Sequence, residues 1–182
     1  MRKQDIEIDT TISDYEKMVE ECAANEENLN IPNATFKHAY IGIKHLLFKA
    51  KKHVRIVSGR FNGKFWDNLC EEFITFLDKP GTTLDVIVLN SYDENGLLQW
   101  LKASYNDKVK VFKIKKENQK DTIPHFLTID SKGYRFETAD EREEEKIVEG
   151  IMNYGDKEGT SKLNTFFEAA KRKSNELLCG VL

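Results

Sequence analysis

Pro124-His125-Phe126-Leu127-Thr128-Ile129-Asp130-Ser131-Lys132-Gly133-Tyr134-Arg135-Phe136-Glu137 is the stretch whose reading decides the fold. Apolar and polar residues alternate on both sides of Ser131-Lys132-Gly133, the pattern of two short strands joined by a tight turn. Period-two alternation puts Arg135 and Glu137 on one face of the second strand, and Tyr134 and Phe136 on the other. A histidine enters the first strand behind Pro124, and an aspartate leaves it.

Working outward from the hairpin, the N-terminal side alternates helices with strands. Asn33 predicts an N-cap for a helix reaching about residue 51. Along it Phe36, Ala39, Tyr40, Ile43, Leu46, Leu47 and Ala50 form one stripe. Val54-Arg55-Ile56-Val57-Ser58 predicts a strand, 64–77 an amphipathic helix stopped at Pro80-Gly81, and Leu84-Asp85-Val86-Ile87-Val88-Leu89 a second strand. A short helix over 96–105, a strand over 109–114 and a polar loop over 115–121 lead into the hairpin. On its C-terminal side a charged run over 140–146 precedes a strand over 147–154. A last helix over 162–178 points Leu163, Phe166, Phe167 and Ala170 inward. This order predicts an α/β domain over 32–182, a mixed β-sheet flanked by helices, with the two strand–helix–strand units parallel. Residues 1–31 read as an acidic arm, or a helix over 13–25 that needs a partner surface.

Composition bounds the class. The chain has 182 residues, 40% of them hydrophobic and 32% charged, enough for a single core beneath a solvated surface. Net charge is −3, with 28 basic against 31 acidic residues, so no global field draws in nucleic acid or an anionic membrane. Three cysteines, Cys22, Cys70 and Cys179, make neither a disulfide framework nor a cysteine-only zinc site. Cys70 reads as a buried thiol, and Trp66 and Trp100 as packing residues. No leader or membrane-spanning stretch is read, and the expected setting is cytoplasmic.

The hairpin and the element order resemble one repeat of the phospholipase D superfamily, over about residues 33–178. The resemblance implies a motif of a nucleophilic histidine, a lysine two residues on and an aspartate five further on, with an asparagine in a following strand. Setting Asp130 at the family's aspartate places Ile123 at the nucleophile and His125 at the lysine. Setting His125 at the nucleophile places Leu127 at the lysine and Lys132 at the aspartate. Neither register supplies the trio, so the chain is expected to be a degenerate single repeat. Asn153, in Gly150-Ile151-Met152-Asn153-Tyr154, stands for the asparagine, with no serine before it.

Each candidate has a sharp and a bland reading. His125 is a remnant phosphate-binding group or an inert strand-start residue. Arg135 and Glu137 form a polar pocket floor, Arg135 clamping an anion, or a solvated charge pair. Ser58-Gly59-Arg60-Phe61-Asn62-Gly63 joins a strand to a helix where open α/β sheets bind ligands, so Ser58 and Arg60 are candidates, or the segment is a plain connection. It fits neither a Walker loop nor a dinucleotide fingerprint. His38 and His45 stand two turns apart, about 10 Å, too far to share a metal. No metal or cofactor is expected. Lysines around 49–55 and 108–120 could touch phosphates, although nucleic acid is not the favoured partner.

The expected function is a non-catalytic phospholipase D-like module, an interaction or ligand-sensing subunit of a bacterial or phage assembly. The resemblance implies a homodimer, since lone repeats of this family generally pair through the face bearing the motif strands, or a partner protein. The acidic N-terminal arm and the apolar Leu177, Leu178, Val181 and Leu182 are candidates for subunit contact. The alternative is a metal-independent nuclease or phosphodiesterase with a rearranged site around His125 in a dimer. A nucleic-acid-binding regulator is third.

Overall fold

The computed structural model describes residues 11–33, 35–61, 64–92, 96–115, 123–137 and 150–177, and for Arg60, Ser91 and Tyr92 the backbone alone. The charged run, the polar loop after residue 115, Asn62-Gly63 and the tail from residue 178, with Cys179, lie outside the described residues.

Eight strands form one sheet in the order β1 (Ile31–Asn33), β7 (Gly150–Asn153), β6 (Gly133–Glu137), β5 (His125–Ile129), β2 (His53–Phe61), β3 (Thr83–Tyr92), β4 (Val109–Ile114), β8 (Ser174–Glu176). β2, β3 and β4 run parallel, and every other pair is antiparallel. The mixed sheet and the β5–β6 hairpin agree with the sequence reading.

Alternation divides each strand between two cores. On one face Val54, Ile56, Leu84, Val86, Val88, Leu127 and Ile129 meet α1 (Ile12–Asn25), α2 (Phe36–Lys49), α3 (Lys64–Asp67), α4 (Cys70–Leu77) and α5 (Leu97–Ser104). On the other, Val57, Ile87, Phe112 and Phe126 meet α6 (Lys157–Arg172) through Phe167 and Ala170. Burying an apolar side chain such as Leu46 or Phe73 contributes about 1.5–3 kcal/mol, so this layering, rather than helix propensity, holds the helices in place. Tyr15, Val19, Cys22 and Ala23 of α1 lie in the same core.

Several local expectations are corrected. Thr35, not Asn33, caps α2, its hydroxyl accepting from His38 N–H, because Asn33 is already paired in β1. The helix expected over 64–77 breaks into α3 and α4. The last helix starts earlier, where the Asp156 carboxylate accepts from Gly159 N–H, and ends at Arg172 so that β8 can pair with β4. Trp100 is 48% exposed, Phe36 and Phe166 are exposed, and Cys70 is only half-buried. Helical spacing locates a face but not its edges, and these residues sit on the edges. No described helix is long and apolar enough to cross a membrane.

Candidate functional site

The hairpin builds the site. His125 and Glu137 are direct partners in the β5–β6 ladder, Glu137 pairs with Gly150 of β7, and Gly150 with Asn33 of β1. Four strands therefore present one row of positions: His125, Glu137, Gly150, Asn33. His125 Nδ1 lies 3.0 Å from Glu137 Oε1. A carboxylate only accepts, so Nδ1 carries the proton.

Arg135 enters the row from one step along β6. Its guanidinium meets Glu137 Oε2 at 2.5 Å, and its Nε–H donates to Asn33 Oδ1 at 3.0 Å. Arg135 is 8% exposed and Glu137 4%, so the pair is inside the protein. Burial pulls the Arg135 pKa down to about 10, which still leaves a cation at neutral pH. The bidentate-ready fork that could hold a phosphate is committed to protein groups on two sides.

Two glycines make the geometry possible. A Cβ on Gly150 would lie 2.8 Å from Asn33 Oδ1, closing the gap through which Arg135 reaches Asn33. A Cβ on Gly59 would lie 2.8 Å from His125 Nε2, with Asn90 Nδ2 3.6 Å away. The imidazole thus rests on bare backbone at the C-terminal end of β2, near the end of β3. That is the edge of a parallel sheet where ligand crevices form. Asn33 Nδ2 is buried with no hydrogen-bond partner, an uncompensated donor at the far end of the row.

The other candidates are distributed differently. Ser58 is buried beside this edge, and the Arg60 side chain lies outside the described ones. Asn153 is not part of the row. Its amide donates to Asn28 Oδ1 and Asn30 Oδ1, and its Oδ1 accepts from Gly155 and Asp156 N–H, so it organises the entry to α6. Asp130 sits at the opposite end of β5 from His125. There, at φ 47°, its carboxylate accepts from the backbone N–H groups of Lys51, Lys52 and His53 at 2.8–2.9 Å. Ile123 and Leu127, which occupy motif positions in the two registers, are buried and apolar. Sequence reasoning missed Asn33, which looked like a helix cap. Its link to Arg135 spans 102 positions and has no local signature.

Among the described residues no group of three or more His, Cys, Asp or Glu could hold a metal ion. A groove of about 550 Å³ lies elsewhere, between α1, α2 and α4. It belongs to a separate surface, because none of the row lines it.

No family model matches the chain, and no curated protein matches it. Solved structures do. TrmBL2, an archaeal chromatin protein whose structure shows a novel mode of DNA binding, is 16% identical with a TM-score of 0.58. That match covers 91% of this chain and 61% of TrmBL2, so the chain spans less than two thirds of that relative. NucT from Helicobacter pylori is 14% identical with a TM-score of 0.59, covering 82% of this chain and 99% of NucT. Nuc from Salmonella typhimurium, a phospholipase D family member, is 8% identical with a TM-score of 0.54, covering 82% and 99%. At these identities the likeness is one of fold, and that fold is a single repeat of the phospholipase D type.

Proposed function

We propose that the chain is a non-catalytic phospholipase D-like module, an interaction or ligand-sensing subunit acting as a homodimer or with a partner protein. The observation that carries this reading is the commitment of Arg135 to Glu137 and Asn33. Phosphodiester cleavage through a covalent intermediate needs a nucleophile, a leaving-group acid and cations on the phosphoryl oxygens. The hairpin supplies one imidazole, and its arginine faces inward. Asp130, which stands at the family's aspartate in one register, fastens three backbone amides at the other end of β5. On this reading the row His125–Glu137–Asn33 is a brace that stiffens the edge where a ligand or partner sits.

A second reading has one specific support. Glu137 accepts a hydrogen bond from His125 Nδ1, the carboxylate–imidazole arrangement used to orient catalytic histidines. Two protomers facing each other would then join two such imidazoles in a metal-independent nuclease. Nucleic-acid binding without cleavage is supported by the fold shared with TrmBL2, and the net charge of −3 weighs against it.

The test is the mass of the protein in solution, alongside incubation with single- and double-stranded DNA and RNA in EDTA. The module reading expects a defined oligomer and intact substrates. Cleavage that disappears in His125→Ala would replace it with the nuclease reading. Binding that falls steeply with salt would favour the regulator.

A further inference from the structure

Away from the hairpin, α1, α2 and α4 enclose the groove of about 550 Å³. Ala23, Ala24 and Phe48 give it an apolar floor, and Phe48 is 72% exposed although it is a large aromatic. Glu20 stands on the α1 side, and Glu71 and Glu72 on the α4 side. Among the described residues none of these three carboxylates is in an ion pair. Two lysines also line the groove, but Lys44 is held by Glu16 at 3.6 Å, leaving Lys49 against three carboxylates. Burial keeps His45 below the ordinary histidine pKa, so it adds no charge at neutral pH.

We infer that this groove is a docking surface for a basic amphipathic helix of a partner protein. Helix-in-groove recognition places an apolar stripe on such a floor. Charge selects the occupant. Lysines or arginines flanking the stripe would meet Glu20, Glu71 and Glu72, whereas an anionic lipid surface, a nucleic acid or an acidic helix would be repelled. The inference rests on the interaction-module reading and gives it a surface remote from His125.

Two model helical peptides with the same leucine stripe, one flanked by lysines and one by glutamates, test it by fluorescence anisotropy at moderate salt. The lysine peptide should bind saturably, one per chain, about tenfold or more tighter than the glutamate peptide, as complementary against like charges require. Joint Glu71→Lys and Glu72→Lys substitution should invert that preference, and Phe48→Asp should weaken the lysine peptide at least tenfold. These side chains are on the surface, so unchanged circular dichroism will confirm that the variants fold. Three results overturn the inference: no saturable binding, binding unaffected by Phe48→Asp, or a dimer that Phe48→Asp converts to monomer, which would give the groove to a second copy. Phosphodiester cleavage would remove the non-catalytic reading without changing the peptide result, so the two failures are separable.

Discussion

His125 and Glu137 face each other across the β5–β6 ladder with Nδ1 and Oε1 3.0 Å apart, while the second oxygen of Glu137 holds Arg135. One buried carboxylate therefore serves two partners, and its loss takes a partner from each.

Glu137→Ala should destabilise the fold by about 3–5 kcal/mol, because it leaves the Arg135 charge buried without a counter-ion. A joint Glu137→Leu and Arg135→Leu variant should lose less than Glu137→Ala, since it removes both charges and their desolvation cost. Urea midpoints of the variants measure the difference. A double variant as unstable as the sum of its single changes would show that the two residues do not act as a pair.

Gly59→Ala should displace the His125 ring while leaving most of the core intact, because the added Cβ meets only the ring edge at 2.8 Å. The His125 side-chain NMR signals should shift with a stability loss of about 1–2 kcal/mol. Gly155→Ala should cost more, since its Cβ would meet the backbone oxygen of Glu26 at 2.1 Å. Equal losses at the two positions would contradict this packing.

Asp130→Ala should cost about 2–3 kcal/mol, since three backbone N–H groups lose a charged acceptor. Hydrogen exchange at Lys51, Lys52 and His53 should quicken locally, with little change at His125 at the other end of the strand. Altered His125 signals in this variant would mean the two ends of β5 are coupled.

Alkali should unfold the protein in a window set by tyrosines. Burial raises the pKa of Tyr15 and Tyr154 well above the usual tyrosine value, and with the nearby Asp156 charge it raises Tyr134 to about 12. The folded state thus keeps protons that the unfolded chain releases near pH 10, so stability is intact below about pH 10 and falls as pH rises beyond it. The lowered pKa of Arg135 acts in the opposite direction over the same range, and the three tyrosines outweigh it. Tyrosinate absorbance and circular dichroism should change together in one alkaline transition. Tyrosinate formation well before unfolding would sink the prediction.

The parts of the fold legible in sequence are those with a strong period. The apolar run Leu84-Asp85-Val86-Ile87-Val88-Leu89 was the most strand-like in the chain, and the hairpin announced itself by alternation around Ser131-Lys132-Gly133. β1 and β8 were not legible, because Ile31-Pro32-Asn33 and Ser174-Asn175-Glu176 have no strand pattern and become strands only through pairing with β7 and β4. The site divided in the same way. The shared face of Arg135 and Glu137 followed from period two, but the inward turn of Arg135 depends on Asn33 and on the missing Cβ of Gly150, both brought there by tertiary pairing. Asp130 had the right residue type for a motif, yet its bonds to three amides join segments 77–79 positions apart, a contact that no spacing reveals.

The central claim is that an inward-facing Arg135 leaves His125 unable to turn over a phosphodiester. Release of p-nitrophenolate from bis(p-nitrophenyl) phosphate in EDTA, followed for the wild type and His125→Ala side by side, tests it most directly. The account predicts the same background rate for both proteins. A wild-type rate clearly above that of His125→Ala, with both proteins folded, would contradict it.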